Sequence, residues 1–122
     1  MKIMNMLKKT LSYLKHYVYA FNGLKVLIKE VNFMVELLIL CVLIVSKFVF
    51  NISVGVFVLW LFNWSMLVSL EALNTAIEKL ADFVHSEHHN KIKDVKDVSA
   101  FGVLISALSL FVLFIVGISG YL

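Results

Sequence analysis

Arginine and proline are both absent from the 122 residues, and cysteine occurs once. All 11 basic residues are therefore lysines. A phosphate held by a basic side chain would meet a point charge here, not a bidentate fork. Without proline, no backbone donor is missing from the interior of any helix, and long uninterrupted helices are open to the chain. A lone cysteine, Cys41, excludes an intrachain disulfide. It lies inside an apolar run and reads as a small buried or lipid-facing residue. The formal net charge of +3 is too small to point to nucleic acid. No Walker or kinase-type glycine-rich loop occurs, so a nucleotide site of either kind is excluded. A secretory signal peptide is not expected either, because six lysines are scattered through the first 30 residues instead of preceding a compact apolar core.

What the chain does have is apolar length. Hydrophobic residues make up 61% of it and the mean hydropathy is +0.96, far from a soluble domain's composition. A single domain covering residues 1–122 is expected, all-α and embedded in a membrane. In residues 1–29, Met4, Leu7, Leu11, Leu14, Val18 and Phe21 recur at spacings of three and four, with Lys8, Lys9, Lys15 and His16 mostly elsewhere on the wheel. This predicts an amphipathic helix on an anionic membrane surface, the competing reading being a helix of a soluble bundle. Three spans follow, at about 31–50, 52–70 and 98–122, against the roughly 20 residues that a crossing needs. Lysines are dense before the first span and again at Lys79, Lys91, Lys93 and Lys96, while Lys47 stands alone between the first two spans. The positive-inside rule puts the N-terminus and the second connection in the cytoplasm. Gly117 with Gly120, and Gly102 with Ser106 and Ser109, are spaced either for close helix contact or as ordinary small-residue use.

The polar residues concentrate at the cytoplasmic ends of the spans. Glu30 and Glu36 open the first span; Glu71, Asn74, Glu78 and Asp82 close the second; Glu87, His89, Lys96 and Asp97 lie between the second and third. On a helix, Glu71, Asn74, Glu78 and Asp82 fall within an arc of about 80°, and His85 would extend the stripe. Carboxylates in or beside hydrocarbon cost roughly 2.5–3.5 kcal/mol each on insertion scales, and like charges on one face add to that cost. Carboxylates with an asparagine are hard-oxygen ligands suited to Mg2+, Lys96 could hold a phosphate, and a free carboxylate could accept an alcohol's proton. Those are the working parts of phosphoryl transfer. Two rivals explain less. A non-catalytic membrane subunit accounts for the spans but not for the stripe together with Lys96 and Asp97. A cation transporter would carry its acids near the bilayer middle. Zinc at His85, His88 and His89 is disfavoured against a solvated loop, because Cys41 is far away and the spacing lacks separated ligand pairs.

The wording of these motifs resembles a known family. EALNTAIEKLAD (71–82), SEHH (86–89) and KDVSA (96–100), preceded by YAFNGL (19–24) and EVNFMVE (30–36), are similar to the prokaryotic diacylglycerol kinases, a family that includes the undecaprenol kinases. The similarity extends over nearly the whole chain. It implies a homotrimeric bundle with three transmembrane helices and a surface helix, multi-pass in the bacterial cytoplasmic (inner) membrane. Composite active sites would lie at the cytoplasmic interface and move the γ-phosphate of MgATP to a lipid hydroxyl. Carried over, Glu30 and Glu78 would bind Mg2+, and Glu71 would be the general base. Tyr19, Glu30, Glu78, Glu87, His89, Lys96 and Asp97 would surround ATP, with Asn74, Asp82, Glu36 and Ser99 in support. Met34 stands where the family often has a basic residue, and Phe101 where it prefers a tiny one. Glu36 is similar to the diacylglycerol-using members and makes diacylglycerol the first expected acceptor, giving phosphatidic acid. Asn32 and the wording EALNTAIE resemble the undecaprenol kinases, so undecaprenol is the alternative.

Overall fold

A computed structural model describes residues 2–84 and 90–120. Among the described residues there are four helices and no strand: α1 (Lys2–Leu27), α2 (Val31–Val49), α3 (Val54–Val84) and α4 (Asn90–Ile118). The last three are long and apolar enough to cross a membrane. The all-helical membrane class and its three spans are thus as the sequence implied. The chain divides into two compact units, residues 1–31 and 32–122.

The first unit is α1 and the turn after it. Tyr17, Val18 and Phe21 are well exposed, an apolar surface of the kind an interfacial helix offers to lipid. The helix tightens as it ends, with Lys29 N bonded to Val26 O and Glu30 N to Leu27 O, both three residues back.

In the second unit the connection between α2 and α3 is written in four residues. Asn51 adopts φ 49°, the left-handed conformation that asparagine tolerates better than most residues. The Ile52 amide then closes back on Lys47 O, five residues earlier. The Lys47 ammonium also donates to the Ile52 carbonyl. Ser53 caps α3, its Oγ accepting from Val56 N at 3.3 Å.

The core of this unit lies where α3 packs along α4. Trp60 is fully buried, donates from Nε1 to Leu113 O at 3.0 Å, and stacks at a tilt on Phe114 with ring centroids 5.1 Å apart. Leu43, Ile52, Val56, Leu67 and Leu110 complete the cluster. Gly117 makes the tryptophan's position possible, because a Cβ there would stand 2.6 Å from the indole ring. Only part of the small-residue pattern has this contact role. Gly102 faces open space, and Gly120 lies beyond α4 at φ 79°, ending the helix rather than packing it. Asn63 donates to Ser109 Oγ at 2.9 Å across the same helix pair.

The remaining faces are apolar and exposed. Leu38, Val42 and Phe48 on α2, Val58 and Phe62 on α3, and Leu108 and Phe111 on α4 face outward. In water this would be an aggregating surface, but in a bilayer it is the expected exterior.

Two helices run past the apolar stretches. α3 has 31 residues, about 46 Å at about 1.5 Å per residue, against a hydrocarbon core of about 30 Å. It therefore carries the polar stripe out of the lipid on one continuous helix. α4 begins at Asn90, eight residues before the expected span at Val98, and five of those eight residues are charged. His85 lies outside the described residues.

Gly117→Ala is expected to destabilise the helix pair by about 1–3 kcal/mol through overpacking against Trp60. A thermal unfolding midpoint in detergent below that of the parent protein, with Gly102→Ala nearly silent, is the expected result.

Candidate active site

The polar face of α3 grades from buried to exposed along the helix. Glu71 is 3% exposed, and Asn74 and Thr75 are buried one turn later. Glu78 and Asp82 are open to solvent. From Val54 at the opposite end, Glu71 lies about 26 Å along the axis and Glu78 about 36 Å, which brackets the edge of a hydrocarbon layer about 30 Å thick. One helix thus presents a buried carboxylate and, two turns further on, an exposed one.

Two helices supply partners. From α2, Asn32 Nδ2 donates to Glu71 Oε1 at 2.8 Å. Glu36, one turn further along α2, is 4% exposed and near enough to Glu71 for the two carboxylates to act on each other electrostatically. Its Oε2 is buried with no hydrogen-bond partner among the described residues. Trp64 Nε1 donates to the Glu36 backbone carbonyl at 2.9 Å and ties α2 to α3 at this level.

From α4, Ser99 Oγ donates to Asn74 Oδ1 at 2.5 Å. That contact sets the amide's orientation, and Asn74 Nδ2 donates to Glu78 Oε1 at 3.1 Å. A serine on one helix therefore determines, through asparagine, how a carboxylate on another is held. Lys96 Nζ reaches Asp82 Oδ1 at 2.5 Å. Lys96 and Asp97 are sequence neighbours but do not pair, since adjacent helical residues point about 100° apart. Asp97 instead meets Lys93, one turn back, at 3.8 Å, and both side chains are mostly exposed.

Of the residues expected in the site, the second unit brings Asn74, Glu78 and Ser99 together, Lys96 with Asp82, and Glu71 with Glu36. Tyr19 is exposed on α1 and Glu30 sits in the turn after it, both in the first unit. Glu87 and His89 lie outside the described residues. In the sequence Asn32 is a mark of resemblance and is not among the expected site residues. Its signal was an amide among apolar residues at the start of a span.

Among the described residues no group of three His, Cys, Asp or Glu side chains converges on a metal-sized site. Mg2+ delivered with a nucleotide does not need such a cage, because it takes one or two carboxylates and fills its shell with phosphate and water. An exposed carboxylate held at one oxygen by an amide, as Glu78 is, fits that use.

Residues 18–118 match the prokaryotic diacylglycerol kinase family. The chain belongs to that family. It is also 29% identical over 97 residues to the undecaprenol kinase of Bacillus subtilis (strain 168), covering 79% of each chain. Membership makes it a membrane lipid kinase, and the diacylglycerol kinase motifs at 71–82 and 96–100 coincide with the Glu71–Asn74–Glu78 face and the Lys96–Ser99 turn that packs on it.

Asp82→Asn is expected to change stability by less than about 1 kcal/mol, since its ion pair with Lys96 is largely solvated. Denaturation in detergent checks this, and a larger loss would show that the pair bears on folding.

Proposed function

We propose that this lipid kinase transfers the γ-phosphate of MgATP to the hydroxyl of undecaprenol, giving undecaprenyl phosphate. The observation that carries the phosphoryl-transfer reading is the division of labour on α3: Glu71 buried and Glu78 exposed two turns further along the same face. A lipid hydroxyl cannot leave the bilayer and a nucleotide cannot enter it, so a kinase joining them needs its base and its phosphate site on either side of that boundary.

In this reading Glu71 accepts the proton of the lipid hydroxyl as its oxygen bonds to the γ-phosphorus, and the bond from that phosphorus to the bridging oxygen breaks to release ADP. Glu78 would hold the Mg2+, which when bound offsets negative charge on the phosphates; the family resemblance implies Glu30 as a second carboxylate ligand. Lys96 leaves Asp82 or is shared with it to contact phosphate as a point charge. The family resemblance implies Tyr19, Glu87, His89 and Asp97 as further residues around the nucleotide. The lysine distribution supports a cytoplasmic N-terminus in the inner membrane. The family resemblance supports a homotrimer.

Undecaprenol is favoured as acceptor by the name of the Bacillus subtilis relative and by Asn32. Diacylglycerol is the second reading, favoured by Glu36. By the family resemblance, a glutamate at this place goes with the diacylglycerol-using members.

Purified protein given γ-labelled ATP, Mg2+ and each lipid in turn is expected to phosphorylate undecaprenol with at least about tenfold higher kcat/KM than diacylglycerol, a difference of about 1.4 kcal/mol. A preference for diacylglycerol would overturn the acceptor, and labelling of neither would overturn the reaction. Glu78→Gln should abolish product while the protein stays assembled. Glu71→Gln should lower kcat far more than it raises the KM for ATP, because a base acts in the transition state.

A further inference from the structure

Asn32 is the second residue of α2 and is exposed, yet its amide crosses to α3 and donates to Glu71 Oε1 at 2.8 Å. The carboxylate it touches is almost fully buried. Glu36 approaches from the same helix, one turn away, but brings a like charge and no donor while it is ionised. α2 thus presents Glu71 with one neutral donor and one repelling neighbour. A lysine in place of Asn32 would neutralise the carboxylate. An amide orients it and leaves its charge, filling one of about four acceptor positions on the two oxygens.

We propose that Asn32 is a positioning residue for phosphoryl transfer: its amide anchors one oxygen of Glu71 and so aims the other at the hydroxyl of the lipid acceptor. The proposal rests on the reading of Glu71 as the base. Asn32 touches neither substrate nor phosphate and acts through Glu71. Its effect falls on the geometry of proton removal, where a displacement of about 1 Å can cost about a hundredfold in rate. Nothing about it bears on ATP binding, which belongs to the aqueous end of α3.

Substitutions separate this role from simple pinning of α2 to α3. Aspartate has asparagine's shape but no amide donor, and when ionised it sets a further negative charge against Glu71. If the side chain only fills space, Asn32→Asp is harmless and Asn32→Ala is not. If it donates, Asn32→Asp is at least as damaging as Asn32→Ala, and Asn32→Gln, which keeps an amide, retains more turnover than either.

In steady-state assays with saturating lipid, Asn32→Ala and Asn32→Asp are each expected to lower kcat by about tenfold to a hundredfold with the KM for ATP within about twofold of the parent. Should Asn32→Ala fail to assemble in detergent, the isosteric Asn32→Asp carries the test. Wild-type kcat in Asn32→Asp overturns the proposal, as does a loss that appears equally in the KM for ATP. Glu71→Gln in the same assay tells the two failures apart. If Glu71→Gln is inactive while Asn32→Asp turns over normally, the positioning role alone is wrong. If Glu71→Gln is itself fully active, the base assignment has failed and the positioning role with it.

Discussion

A carboxylate at the edge of hydrocarbon needs a partner, and that requirement organises the polar end of the second unit. Glu71, Glu36 and Asn74 are buried where apolar residues would be cheaper. Much of what surrounds them answers their polarity: Asn32 on Glu71, Ser99 on Asn74, and the indole of Trp64 on the carbonyl of Glu36. The partners come from α2 and α4, so satisfying α3's polar face also fixes how three helices meet. Glu36 Oε2 is the exception. An unmet acceptor on a buried acid is costly to keep.

The opposite end is held by different means. There Trp60 fills the space that Gly117 leaves, and apolar packing is joined, among the described residues of α3 and α4, by only two hydrogen bonds between the helices, from the Trp60 indole to Leu113 O and from Asn63 to Ser109 Oγ. Dry packing at one end and hydrogen bonding at the other give α3 and α4 a rigid base and a polar tip. Helix length connects the two. α3 is longer than the bilayer core, so it can root itself in lipid and still raise Glu78 and Asp82 into water without a break.

Much of this was legible in the sequence, because it depends on periodicity and composition. The absence of proline, the three apolar runs and the alignment of Glu71, Asn74, Glu78 and Asp82 follow from a 3.6-residue repeat. What escaped depends on partners distant in sequence. Asn32 is 39 residues from Glu71, and no local pattern announces that pairing. Lys96 and Asp97 stand together in the chain and invite a joint role, but helical geometry turns them apart toward Asp82 and Lys93. The start of α4 was hidden by its charges, which mimic a solvated loop, although the Lys93–Asp97 spacing is itself one that supports a helix. Gly117 and Gly120 look equivalent in sequence and differ entirely in use, one making room for Trp60 and the other ending the helix.

If phosphate transfer takes place at the solvent end of the α3 and α4 pair, near Glu78 and Lys96, a nucleotide must bind there. Paramagnetic broadening by MnATP, read from backbone amide resonances of the detergent-solubilised protein, tests it most directly. Signals around Asn74–Ala81 and Lys96–Ser99 are expected to be lost selectively, with Val54–Trp60 and the Gly117 region unaffected. Broadening concentrated at the Trp60–Gly117 end, or absent from the whole chain at saturating nucleotide, would contradict it.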